Sequence, residues 1–414
     1  MAADNANDKP LLASLVQAGD AQTEAVALND FIYMAKDISN AYLVTTADGD
    51  VMINTGFMGG AERNKALFAP ERTGALKAIV LTQAHPDHYG GVPAFVEDGT
   101  QIITGPGFTD TRAYFDMLDA YIRRRSGVLW TGTVKGRDLQ VPDVKPDIEA
   151  EGGYSFEVGG RTFEVIPTPG GESLDAVVVW MPKEKVVFTG NLFGPVFLSM
   201  PNLSTVRGDK PRSAAKYLEC LDKVRQLGAE LLVTGHGEPI AGAAQIRAGL
   251  DKMYAAVSYV HDETVAGMNA GKDVDTLMQE ITLPEEIRIG EFHGKVSWAV
   301  RTIWEEYTGW FKLESPAELY PVPRSAVDRD LVELAGGADP LAGRARQKLE
   351  AGEPVAALHL TDIALGVVPD HGGALAVRKD ALQALMQQSG GSNLSEVMWL
   401  KTELGKVSAR LGEG

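Results

Sequence analysis

Apolar and polar positions alternate between residues 40 and 56 (NAYLVTTADGDVMINTG), which predicts two strands joined at an Asp48-Gly49 turn. Residues 77–82 (KAIVLT) are almost wholly apolar and end abruptly in polar residues. That pattern predicts a strand buried on both faces that feeds a surface loop. A second hairpin is predicted over residues 154–166 with Gly159-Gly160 at its turn, followed by strands at 176–180 and 185–188. Ala215, Leu218, Leu221, Val224 and Leu227 recur every three or four residues, which predicts an amphipathic helix over 214–227 ahead of a strand at 231–234. The order of elements predicts an α/β half in which helices cover sheets.

Past residue 243 the period changes, and no strand pattern returns. Ile246, Leu250, Met253, Val257, Val260, Thr264 and Met268 form a narrow stripe suited to packing against another helix. On a monomer the stripe leaves apolar surface exposed, so the expectation is a homodimer built on it. Residues 296–311 (VSWAVRTIWEEYTGWF) predict a second amphipathic helix, with Trp298, Trp304 and Trp310 as core or dimer contacts. Pro316, Pro321 and Pro323 mark a linker, and short Ala/Leu-rich helices of tetratricopeptide-like character follow, broken at Gly336-Gly337, Gly352 and Gly372-Gly373. The expected domains are residues 1–245 and an all-helical 246–414.

A chain of 414 residues exceeds the roughly 250–300 at which one hydrophobic core stops growing, in keeping with two domains. The net charge of −17 argues against nucleic acid or anionic lipid as the main partner. With Cys220 alone there is neither a disulfide nor a CxxC pair, so a bound metal must rest on histidines and carboxylates. The opening MAADNANDKPLLASLVQAGD has no basic segment ahead of an apolar one, and no apolar run reaches about 18 residues. The expectation is a cytoplasmic protein with no membrane span.

The residues with chemistry follow the buried strand: Thr82-Gln83-Ala84-His85-Pro86-Asp87-His88-Tyr89-Gly90-Gly91. Two histidines and an aspartate within four residues resemble the HxHxDH signature of the metallo-β-lactamase superfamily. Asn54-Thr55-Gly56 stands where DTG is usual, Thr168-Pro169-Gly170-Gly171-Glu172 where TPGH is usual, Gly190-Asn191 where GD is usual, and Gly235-His236-Gly237 supplies the last histidine. Glu172 and the run Asn202-Leu203-Ser204-Thr205-Val206-Arg207-Gly208 resemble the TEA and NLYTLRG motifs of the alkylsulfatases within that superfamily. Residues 259–264, 293–297, 309–311 and 332–338 are similar to the alkylsulfatase dimerisation region. The resemblance implies an αββα sandwich followed by an all-helical dimerisation domain.

It also implies two metal positions. The first would use position 83, His85 and Glu172; the second Asp87, His88 and His236; an acidic residue at 191 would bridge them. This chain has Gln83 and Asn191 there, both poor ligands for a divalent cation. Zinc is the expected metal, as one or two ions, with another divalent cation as the alternative. Asp87, Arg207 and Asn202 are the candidate catalytic residues, with Arg207 and Asn202 at the anionic head of the substrate and Asp209 as the one acidic neighbour of Arg207 in its motif. The reading is a metal-dependent hydrolase of a small ester, an alkyl sulfate with an apolar tail. Its alternatives are a different bond (lactone, carboxylic ester, ether or elimination) and a degenerate binding protein. His261 and His293, outside these landmarks, are assigned to helix contacts or helix ends.

Overall fold

The computed structural model describes residues 19, 21–131, 141–210 and 212–413; the N-terminal opening on which the cytoplasmic expectation rests lies outside them. Seven strands form one sheet in chain order: β1 (Val26–Ala27), β2 (Ile32–Ala35), β3 (Ala41–Thr46), β4 (Gly49–Ile53), β5 (Leu76–Leu81), β6 (Gln101–Thr104) and β7 (Ile148–Glu149). A second sheet has the order β13 (Ile240–Ala241), β12 (Leu231–Thr234), β11 (Val186–Gly190), β10 (Val177–Met181), β9 (Arg161–Pro167) and β8 (Tyr154–Val158). Both expected hairpins are present, β3–β4 and β8–β9, as are the buried strand and the helix Ala214–Leu227.

The apolar runs explain the layering. Every residue of β3, β4, β10 and β11 is buried, as strands covered on both faces must be. Between the sheets lie Ile32, Tyr42, Val44, Ile53 and Val80 from one and Phe163, Val165, Val179 and Phe188 from the other. The outer face of the first sheet packs Leu43, Met52, Ile79 and Leu81 with Phe68, Tyr89, Phe95 and Phe108 from helices. On the outer face of the second, Val178, Val187 and Leu232 pack with helical Leu221, Val224, Met253, Val257, Val300 and Ile303. The result is the expected αββα sandwich.

One expectation changes. In the helix Ala243–Asn269, Ile246, Leu250, Met253, Val257 and Val260 are buried in the chain's own core with helix Ala214–Leu227 and the second sheet. A six-stranded sheet is wider than one helix, so the stripe that reads as a partner-binding seam is needed to finish covering it. Accordingly one compact unit extends from the start of the described chain to Ile122 and from 141 to Tyr307, past the expected boundary at 245. Trp304 is buried in it, while Trp310 lies outside it and is exposed.

The other unit takes 123–131 and the chain from Thr308 on. Its helices Asp328–Leu334, Ala338–Glu350, Pro354–Val367, Gly372–Gln388 and Leu394–Arg410 pack through small residues, with Ala345, Ala357 and Ala381 fully buried. Thr402 donates to the Val128 carbonyl at 3.1 Å, which ties in the segment 123–131. The expected linker holds two short 3-10 turns, Pro316–Leu319 and Arg324–Val327. Among the described residues no helix is long and apolar enough to cross a membrane.

If the stripe is internal, Met253→Ala should cost about 2–5 kcal/mol of stability through the cavity it leaves, with no change in oligomeric state. Urea unfolding and light scattering on the same samples check both halves of this expectation.

Candidate metal centre

Parallel pairing sets the place of the site. β4 pairs parallel with β5, and β11 with β12; β9 runs antiparallel to β10, which runs antiparallel to β11. The loops after β4, β5, β9, β11 and β12 therefore leave at the same ends of their sheets, carrying Asn54, Gln83–His88, Glu172, Asn191 and His236. The two sheets are stitched there: Val177 N donates to the Thr82 carbonyl at 2.9 Å, Tyr42 Oη to the Thr234 carbonyl at 2.7 Å and Asn40 N to the Gly235 carbonyl at 2.7 Å.

After β5 the chain passes His85 in extended conformation and makes one helical turn, Pro86–Tyr89, with Pro86 at its first position and His88 N donating to the His85 carbonyl at 2.9 Å. The turn projects Asp87 and His88 together. Asp87 Oδ2 stands 3.6 Å from His88 Nε2 and 3.6 Å from His236 Nε2. Ligands held about 2.1 Å from one ion at a tetrahedral angle stand about 3.4 Å apart, so the spacing suits a single cation. Gly235 makes the approach feasible: a Cβ there would lie 2.3 Å from Asn191 Oδ1 and 3.0 Å from His88 Cε1.

His88 is wholly buried, and its Nε2 has no protein partner. Its Nδ1 faces Ser39 Oγ at 3.2 Å and Asn54 Nδ2 at 2.9 Å. Ser39 gives its own proton to the Gly235 carbonyl at 3.0 Å, and Thr82 Oγ1 also faces Nδ1, at 3.3 Å, so these groups together fix the orientation of the ring. Burial lowers the His88 pKa to about 3 and lowers that of His236 as well, so both rings are neutral at neutral pH. Asp87, His88 and His236 are the one group among the described residues whose donor atoms gather within 4.8 Å.

The first position is different. Gln83 Nε2 lies 2.5 Å from His85 Nδ1, and Gln83 Oε1 accepts from Asn191 N at 3.4 Å. Both oxygens of Glu172 are taken by Arg212: Nη2 donates to Oε1 at 2.8 Å, and Nη1 lies 2.7 Å from Oε2. This pair is buried, with Glu172 5% and Arg212 4% exposed. His85 Nε2 and Arg207 Nη2 each lie 3.4 Å from Asp209 Oδ2. Burial pushes the Asp209 carboxyl up, but His85 and the guanidiniums of Arg207 and Arg212 hold it well below the usual carboxylate range. Asn191 and Asn202 are buried with their side-chain oxygens unpartnered, and the Asn202 backbone carbonyl accepts from Arg212 Nη1 at 2.9 Å.

The loops thus bring the expected residues to one end of the sandwich in two clusters, Asp87–His88–His236 and Gln83–His85–Glu172. Sequence reading missed Arg212 and Ser39; the one available signal for Arg212 was a second arginine five positions past Arg207 in an acidic chain. A shallow open cleft borders Glu172, Asp209 and Arg212, with Thr111, Tyr114 and Leu174 on its wall.

Comparison with known proteins agrees with this geometry. Residues 35–236 match the family model described as metallo-beta-lactamase superfamily, and residues 274–402 match that described as alkyl sulfatase dimerisation. A linear primary-alkylsulfatase of Pseudomonas sp. (strain ATCC 19151) is 30% identical over 368 residues, which cover 81% of this chain and 67% of that protein. The chain belongs to the alkylsulfatase branch of the metallo-β-lactamase superfamily. An alkyl/aryl-sulfatase of Saccharomyces cerevisiae is 26% identical over 398 residues, 88% of this chain but 61% of that enzyme's length. The stereoselective inverting sec-alkylsulfatase Pisa1 from Pseudomonas sp. superposes with a TM-score of 0.83 at 22% identity over 98% of this chain and 69% of that one, a likeness of fold.

The fit of this alkylsulfatase-branch chain to metal is therefore split. The second position gathers a carboxylate, two neutral imidazoles and a buried nitrogen without a hydrogen-bond partner, a donor set that suits a cation; at the first, Arg212 already stands on Glu172.

In metal-stripped protein, His88 should make stability pH-dependent. A histidine kept neutral by burial contributes stability that is complete above the ordinary value of 6.5 and is lost as pH falls toward the folded value of about 3. The expected loss from this group is on the order of 2 kcal/mol between pH 6.5 and 5. Urea unfolding of chelator-treated protein across that range checks it, and His88→Gln should flatten the slope.

Proposed function

We propose that the chain is a zinc-dependent hydrolase that cleaves small alkyl sulfate esters. The observation that carries this reading is the buried Asp87–His88–His236 group, with His88 Nε2 unpartnered, in a chain 30% identical to a linear primary-alkylsulfatase. Those three residues would hold the ion. Two imidazoles and a carboxylate favour zinc over magnesium or calcium, which prefer all-oxygen surroundings. When bound, zinc supplies the Lewis acidity that makes water an effective nucleophile near neutral pH and polarises the ester.

The chain's own side chains do the rest. Ser39, Asn54 and Thr82 around Nδ1 fix the orientation of the His88 ring, with Nε2 on the side of Asp87. Arg207, 18% exposed and 3.4 Å from Asp209, presents a planar fork that matches two sulfate oxygens, with Asn202 of the same segment assigned to the same anionic head. Tyr114 and Leu174 on the cleft wall give the alkyl tail an apolar surface. The preserved triad favours catalysis over a purely binding role.

The test is release of inorganic sulfate from a medium-chain alkyl sulfate, lost on chelation and restored by zinc, beside a carboxylic ester of equal length. Arg207→Lys should raise KM for the sulfate ester roughly tenfold, about 1.4 kcal/mol, with little effect on the neutral ester. Equal effects on both esters, or turnover of the neutral ester alone, would mean that the bond is a different one.

The protein is also proposed to be a homodimer, through the helical unit rather than the Ile246–Met268 stripe. Support comes from the dimerisation-family match and from apolar side chains left in solvent at Trp310, Leu313, Tyr320, Val322 and Leu334, with Leu313 83% and Leu334 84% exposed. Light scattering should give twice the 44.4 kDa chain mass for the parent and 44.4 kDa for Leu313→Asp combined with Tyr320→Asp.

A further inference from the structure

The two clusters at the site differ in charge balance. At Asp87, His88 and His236 one carboxylate and two imidazoles bring their donor atoms within 4.8 Å of one another, with no arginine or lysine in the group. At Glu172 the cation is already present. The Arg212 guanidinium makes a two-point contact with both carboxylate oxygens, and the pair is more than nine-tenths buried. Each oxygen of Glu172 already faces the guanidinium, and a guanidinium beside it repels a second cation in a medium of low dielectric constant. His85 is drawn in the same direction: Gln83 Nε2 sits 2.5 Å from Nδ1 and Asp209 Oδ2 lies 3.4 Å from Nε2, so both ring nitrogens face partners from the chain. Asp209 in turn faces Arg207. Glu172 and Asp209 thus each face an arginine.

We infer that this chain is built for one metal ion, held by Asp87, His88 and His236, and that the Arg212 guanidinium on Glu172 is the resident cation of the first position. Gln83 completes the substitution by occupying His85 without adding charge. The inference rests on the hydrolase reading for the second position and departs from the two-ion arrangement that the family motifs imply.

Elemental analysis and calorimetric zinc titration of the full-length protein test it, with cobalt spectra as an independent count. The parent should bind one ion per chain even at saturating zinc. Gln83→His alone should stay at one, because Arg212 still holds Glu172. Gln83→His combined with Arg212→Met frees Glu172 and supplies an imidazole, and should bind two. Two ions in the parent, two in Gln83→His, or none in the parent would each overturn the inference. So would a double variant that melts and circularly polarises like the parent yet stays at one ion. One ion per chain with no sulfate released would instead count against the alkyl sulfate reading and leave the metal assignment standing.

Discussion

A wholly buried, uncharged imidazole is the constraint around which this end of the sandwich is arranged. Protonating His88 would place a charge where no water can solvate it, so the ring stays neutral. Leaving Nε2 without a partner costs about 1–3 kcal/mol, which a fold sustains where something from outside completes the group. Ser39 and Asn54 from the first sheet and Gly235 from the second close around the ring, so its position depends on both sheets being in register. Backbone bonds across the inter-sheet gap, from Asn40 to Gly235 and from Val177 to Thr82, hold that register where the chemistry is.

The neighbouring cluster solves the burial problem in another way. Glu172 is as deeply buried as the histidines, and a buried carboxylate needs either a cation or a proton. Arg212 supplies the cation covalently attached to the chain, with one hydrogen bond to Oε1 and a close ion-pair approach to Oε2. Removing one partner of such a pair leaves an uncompensated buried charge, which is far more costly than the pair is favourable. Two adjacent positions thus acquire different characters, one open to an ion and one closed on itself, from the side chains at 83, 191 and 212. The open cleft borders the closed cluster, at Glu172, Asp209 and Arg212.

A similar choice operates in the helical half on the scale of whole faces. An apolar stripe must be covered, but its period does not say by what. The helix Ala243–Asn269 covers the outer face of the second sheet, while apolar side chains between Trp310 and Leu334, in a segment where prolines break regular periodicity, stay exposed.

What the sequence determined by itself was local and chemical. Apolar alternation about turn residues located the hairpins β3–β4 and β8–β9, a continuous apolar run the doubly covered strand β5, and the 3.6 period the helix Ala214–Leu227. The spacing of His85, Asp87 and His88 was equally legible, since all three ride on one turn, and the motifs at 54, 172, 191 and 236 marked the other loops. Strands β1, β2 and β6 and the helices between 61 and 126 were not seen, as their short mixed runs depend on neighbours for burial. The tertiary structure alone decided that Met253 and Val257 face their own sheet, that the compact unit closes at Tyr307, and that Arg212 reaches Glu172 from forty residues away. These are outcomes of which surfaces meet in space, and a one-dimensional pattern fixes the need for a partner without fixing which group satisfies it.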